Sequence, residues 1–152
     1  KRRYNLCYNA DSDILITVGG SEGIDCAIRA IVNPGDEVII PQPSFVCYEP
    51  IVRLAGGIPV FINTVEDNDF RLTAEQLKSA ISDKTKLLIL PYPCNPTGAI
   101  MTREELEPIA EVLRGTDIMV LSFLTVLDSR NIRQPLTKQS VVSSVTAMMN
   151  SS

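Results

Sequence analysis

Apolar and polar positions along the chain switch repeatedly between a period of two and a period near 3.6. Ile14 to Val18 is a short β-branched run that ends on Gly19-Gly20, and Ile24, Ala27, Ile28 and Ile31 then recur at the i, i+3, i+4, i+7 spacing of an amphipathic helix. This predicts strand, tight turn and helix. Asn33-Pro34-Gly35 stops that helix, and Glu37 to Ile40 is expected as a second buried strand, broken by Pro41-Gln42-Pro43-Ser44. A second helix is expected from about Phe45 to Ala55, closed by Gly56-Gly57. Ile58 to Asn63 then makes a third strand, whose Pro59 suits a sheet edge or a strand start.

Thr73-Ala74-Glu75-Gln76 and Thr102-Arg103-Glu104-Glu105 are both capping-box patterns, in which a hydroxyl and a side-chain carbonyl or carboxylate satisfy each other's backbone N–H groups. Each opens an amphipathic run, Leu77, Ala80 and Ile81 in the first and Leu106, Ile109, Ala110 and Leu113 in the second. Pro108 falls within the second helix and predicts a kink or a late start. Strands are expected between the two helices, at Lys86 to Leu90, and after the second, at Ile118 to Leu121. Strands alternating with helices at this spacing give an α/β fold, a mostly parallel sheet with helices on both faces and right-handed crossovers. The last thirty residues differ: Phe123 to Ser152 holds nine Ser and Thr, no glycine and a weak helical stripe at Val141, Val145 and Met148. It predicts an appended tail, with a short amphipathic helix as the alternative.

Composition narrows the chemistry. The chain has 152 residues, 45% hydrophobic and 21% charged, a net charge of −4 and no histidine. Without histidine there is no Ser-His-Asp or Cys-His nucleophile and no His-bound metal. Basic residues cluster only at Lys1-Arg2-Arg3, which argues against a nucleic-acid surface. Cys7, Cys26, Cys47 and Cys94 form no CxxC pair and suit buried thiols in a reducing compartment. No apolar run approaches a membrane span, so the expectation is a cytoplasmic chain, and the opening Lys rather than Met suggests an upstream portion.

The most constrained stretch is Leu90-Pro91-Tyr92-Pro93-Cys94-Asn95-Pro96-Thr97-Gly98. Proline has a preset φ and no N–H, and it pushes the residue before it to extended geometry, so Asn95 is held extended between Pro93 and Pro96. Ligands of a parallel α/β sheet bind outside the carboxyl ends of its strands, where helix N-termini present free N–H groups. Gly19-Gly20-Ser21-Glu22-Gly23, Pro43-Ser44-Phe45 and Pro93-Cys94-Asn95-Pro96 all follow strands and converge there. The first is an anion cradle or a plain helix N-cap, with Glu22 contributing its backbone N–H and its carboxylate turned away. Phe45 offers a ring to lie over a planar ligand or to fill the core. Asn95 offers a donor and an acceptor without charge. Together these suit a flat, phosphorylated heterocycle.

The ordered motifs Val18-Gly-Gly-Ser-Glu-Gly23, Asn33-Pro-Gly-Asp-Glu-Val-Ile-Ile-Pro-Gln-Pro-Ser-Phe-Val-Cys-Tyr48 and Tyr92-Pro-Cys-Asn-Pro-Thr-Gly98 resemble the large domain of class I/II aminotransferases, the fold-type I pyridoxal-phosphate enzymes. The resemblance covers Tyr4 to Ser122. It implies that residues 1–122 are part of that domain and residues 123–152 a divergent tail. It implies pyridoxal 5′-phosphate as cofactor, with Gly20, Ser21 and Glu22 at its phosphate, Phe45 stacked on the pyridine ring, and Asn95 bonded to the ring hydroxyl and near the substrate carboxylate. Amino acid and 2-oxo acid substrates and a homodimeric parent follow. Alternatives are a β-lyase of the same fold and a non-catalytic truncated or frame-shifted product.

The departures are specific. Where the family has Asp-Glu-x-Tyr, whose Asp keeps the pyridine nitrogen protonated and whose Tyr bonds the ring hydroxyl, this chain has Phe123 and Val126. The Schiff-base lysine of a later Ser-x-x-Lys segment has no counterpart, since Lys138 comes early with unmatched flanks. The expectation is weak, non-covalent cofactor binding and no turnover.

Overall fold

A computed structural model of the chain describes residue 9, residues 11–126 and residues 142–148. The element order is α1 (Gly19–Ile31), β1 (Glu37–Gln42), α2 (Tyr48–Leu54), β2 (Ile58–Asn63), a 3-10 turn (Glu66–Asn68), α3 (Ala74–Ala80), β3 (Thr85–Leu90), α4 (Arg103–Leu113), β4 (Met119–Val126) and β5 (Val142–Met148). The sheet runs β2-β1-β3-β4-β5. Its first four strands are mutually parallel, and β5 lies antiparallel to β4.

The period-two pattern of the strands divides the core into two halves. Val38 and Ile40 of β1 with Leu87 and Ile89 of β3 face α1 and α2, where Ile24, Ile28 and Val52 complete one cluster. Ile39 and Leu88 face the opposite way onto Leu77 of α3 and Ile109 and Leu113 of α4. Successive side chains of a strand point to opposite faces, so a strand apolar at every position is one covered on both sides. Both expected capping boxes are present, Thr73 with Gln76 and Thr102 with Glu105.

Several expectations are corrected. Ile14 to Val18 forms no strand; the segment joins no sheet, and Ile16 and Val18 are each 91% exposed. β-branched residues favour extended backbone, but a strand also needs a neighbour for its N–H and C=O groups. β1 runs on through Pro41 to Gln42, because its pairing with β3 ends at Ile39 and only β2 remains alongside, which makes Pro41 locally an edge residue. α2 starts at Tyr48 rather than Phe45, whereas β2 occupies the expected residues at the sheet edge. α4 starts five residues before Pro108, so there is no late start.

The tail departs most. β4 continues past Ser122 to Val126, and residues 142–148 form a strand in place of the helical stripe. That pairing covers an edge of β4 that would otherwise present open backbone groups. Lys138, Val141 and the other residues of 127–141 and 149–152 lie outside the described residues. No helix among the described residues is long and apolar enough to cross a membrane.

Candidate functional site

α1 begins on a glycine turn. Gly19 has φ +81°, its N–H donates to the Thr17 carbonyl at 3.0 Å, and the Thr17 hydroxyl donates to the Gly19 carbonyl at 2.9 Å. No side chain of the preceding Val18 caps the helix. Helix geometry leaves the first N–H groups without intrahelical acceptors. The N–H of Val18 is taken by the Glu22 carboxylate and that of Gly19 by Thr17, which leaves Gly20 and Ser21 as the first-turn donors that the helix itself does not use. Glu22 sits one position further, where the N–H enters the helical ladder. Its carboxylate is not turned away from the turn as expected, because the orphan Val18 donor draws it back along the helix.

Three loops meet at this end of the sheet. The Ser21 hydroxyl of the first lies against the Cys47 thiol of the second. Burial pushes the Cys47 thiol up, and the Ser21 hydrogen bond opposes that shift. The Cys94 thiol of the third donates to the Pro43 carbonyl at 3.5 Å. Between them Tyr48 is buried, at 3% exposure, and burial, with Cys47 and Cys94 nearby, pushes its hydroxyl far up. Phe45 is half-buried; its ring meets Tyr48 edge-on, with centroids 5.8 Å apart and planes at 77°. Asn95 is exposed at the tip of the third loop. That loop closes on itself by Gly98 N–H donating to Cys94 O at 2.7 Å and Cys94 N–H to Ala99 O at 2.8 Å.

The structure therefore joins the Ser21, Phe45 and Asn95 loops, with Gly20 and Glu22 on the same helical turn as Ser21. Sequence reasoning missed the linking residues. All four cysteines read as small buried hydrophobes, which holds for Cys94 but not for Cys47, which is half-buried, or Cys26, which is exposed; Cys7 lies outside the described residues. Tyr92 read only as a member of a proline-rich loop, yet its hydroxyl accepts from Leu72 N–H at 2.9 Å and donates to Phe70 O at 3.0 Å. A large polar-tipped ring set among three prolines was the available signal. The described lysines lie elsewhere: Lys84 and Lys86 stand at the amino end of β3, and Lys78 stands in the last turn of α3.

The sequence model of the family "Aminotransferase class I and II" matches residues 1–122. The chain belongs to this family. It is 48% identical over 120 residues to the putative aminotransferase YugH of Bacillus subtilis, covering 79% of this chain and 31% of that protein. It is 44% identical over 121 residues to an aspartate aminotransferase of a Bacillus species, covering 80% and 31%. Among solved structures, a variant of the Thermus thermophilus aspartate aminotransferase is 40% identical with a TM-score of 0.67, over 70% of this chain and 29% of that one. YbdL of Escherichia coli, identified as a methionine aminotransferase, is 34% identical with a TM-score of 0.76, over 80% and 32%. The chain thus spans about a third of the length of these aminotransferases, and the family match ends at Ser122, within β4.

Proposed function

We propose that this chain is the cofactor-holding portion of a pyridoxal-phosphate-dependent aminotransferase, whose parent moves an amino group between an amino acid and a 2-oxo acid. The observation that carries this reading is the meeting of the three loops through Ser21 with Cys47 and Cys94 with Pro43. Residues 1–122 are the domain portion, and residues 123–152 are a divergent tail that prolongs β4 and adds β5 to the same sheet. The parent works as a homodimer.

The residues present suit the phosphate and ring of the cofactor. The N–H groups of Gly20 and Ser21, with the Ser21 hydroxyl, would hold the phosphate at the positive end of α1. Glu22 belongs to the same turn. Its carboxylate neutralises the Val18 N–H and limits the net attraction of the cradle, so anion binding here is weaker than a bare helix terminus would give. Phe45 is held by its edge contact with Tyr48 and would stack on the ring. Asn95 would donate to or accept from the ring hydroxyl. Bound pyridoxal phosphate supplies an electron sink for charge developing at the substrate α-carbon. The residues of these three loops would bind and orient it, and among the described residues no lysine stands at this end of the sheet to move the proton. The outcome expected of the isolated chain is binding without turnover.

Fluorescence titration of the full chain with pyridoxal phosphate tests this reading. Saturable one-to-one binding is expected, with inorganic phosphate competing and Ser21→Ala weakening it about ten-fold or more, the loss of roughly one hydrogen bond to an anion. Unsaturable binding, or binding indifferent to both phosphate and Ser21→Ala, would overturn the proposal.

A further inference from the structure

We infer that Tyr92 is a positioning residue for Asn95, holding the tip of the third loop at the cofactor crevice through hydrogen bonds to a strained turn at residues 69–72. The inference rests on the reading that Asn95 meets the cofactor's ring hydroxyl.

Asp69 and Phe70 have φ of +48° and +56°, two consecutive non-glycine residues in the left-handed region. Such backbone persists where its surroundings hold it. Here Tyr92 bridges both sides of the turn, donating to Phe70 O at 3.0 Å and accepting from Leu72 N–H at 2.9 Å. Arg71, between those two residues, reaches the far end of the same loop. Its Nε donates to Ile100 O at 3.2 Å, and its guanidinium pairs with Glu105 at 2.9 Å and with Asp69 at 3.2 Å. The loop carrying Asn95 is therefore fastened to one turn at Tyr92 and again at Ile100, while Cys94 fastens it to Pro43 on the other side. Asn95 lies three residues beyond Tyr92 and one beyond Cys94, exposed between these attachments.

The hydroxyl of Tyr92 satisfies one donor and one acceptor that no apolar ring could satisfy. Tyr92→Phe keeps the ring and its packing and frees the turn from the loop. Its hydroxyl is taken up by Phe70 and Leu72, so its loss should be felt only through Asn95.

The test titrates the full chain and its variants with pyridoxal phosphate and with the deoxy analogue lacking the ring hydroxyl, alongside urea melts. Asn95→Ala should weaken pyridoxal phosphate about five-fold and leave the analogue unchanged. Tyr92→Phe should weaken pyridoxal phosphate about two- to five-fold, spare the analogue, and add nothing in the Asn95→Ala background, as residues acting through one another do. Arg71→Gln, which loosens the same turn from its other side, should reproduce the selective loss if Tyr92→Phe fails to fold. Equal weakening of both ligands, full additivity with Asn95→Ala, or no effect of either turn variant would overturn the inference and leave the Asn95 reading standing. An Asn95→Ala chain that binds pyridoxal phosphate as tightly as the parent chain would overturn both.

Discussion

Replacing Gly19 by alanine isolates the backbone requirement of the turn that opens the candidate phosphate cradle. Gly19 has φ +81°, and a Cβ built there meets nothing within 4 Å, so alanine gains no contact and suffers no clash. What remains is the left-handed backbone, which costs an L-residue roughly 1–2 kcal/mol. The Thr17–Gly19 hydrogen bonds, 2.9 and 3.0 Å, hold the turn in that conformation and give it little room to relax. Gly19→Ala should therefore lose about 1–1.5 kcal/mol in urea denaturation, about 3–5 °C in melting temperature for a chain of this size. Gly19→Asn should lose about half as much, since asparagine tolerates the left-handed region better. Pyridoxal phosphate affinity, measured at a temperature where both variants are folded, should fall with Gly19→Ala and largely return with Gly19→Asn. An alanine variant within about 0.3 kcal/mol of the parent would refute the reasoning. It would mean that the turn relaxes freely and that the direction of the first α1 N–H groups is not set by Gly19.

Three further outcomes follow from the same geometry. Thr102→Ala removes the hydroxyl that accepts from Glu105 N–H and should cost about 1 kcal/mol, read as a shifted urea midpoint at constant slope. Ile39→Ala empties a fully buried site between β1 and helices α3 and α4 and should cost about 2–5 kcal/mol, enough to leave a marginal domain largely unfolded by circular dichroism. Burial holds the phenols of Tyr48 and Tyr92 above the ordinary value of 10.0, so the folded state keeps their protons longer than the unfolded state. Their stabilisation is whole below about pH 10 and is lost as pH rises above it. Urea midpoints between about pH 9 and pH 11 should drop, and a profile that stays flat would contradict the buried placement.

The parts of this fold that were legible in the sequence are those fixed by local chemistry. Thr73-x-x-Gln76 and Thr102-x-x-Glu105 state their helix starts in four residues, and Ile58 to Asn63 carries its edge position in Pro59. What escaped depends on neighbours. Ile14 to Val18 has the composition of a strand and lacks a partner, whereas residues 142–148 carry a helical stripe and pair with β4. Pro41 looked like a strand breaker because nothing local shows where β3 stops pairing. At the site, the glycine turn and the proline-bounded Asn95 were legible because their residue types constrain their own backbone. The ties that join the loops, Ser21 to Cys47, Cys94 to Pro43 and Tyr92 to Phe70 and Leu72, span between 20 and 51 residues along the chain wherever a separation is fixed by a hydrogen bond, and no local pattern encodes them.

We propose that this chain holds pyridoxal phosphate by its phosphate and ring, without a covalent bond to a lysine. The most direct test saturates the full chain with pyridoxal phosphate at one-to-one stoichiometry, reduces the mixture with borohydride and maps the lysines by mass spectrometry. The account predicts reversible binding, with only substoichiometric label scattered over several lysines. Stoichiometric modification of one lysine, Lys138 or any other, suppressed by Ser21→Ala, would contradict it and would make this chain a complete covalent cofactor site.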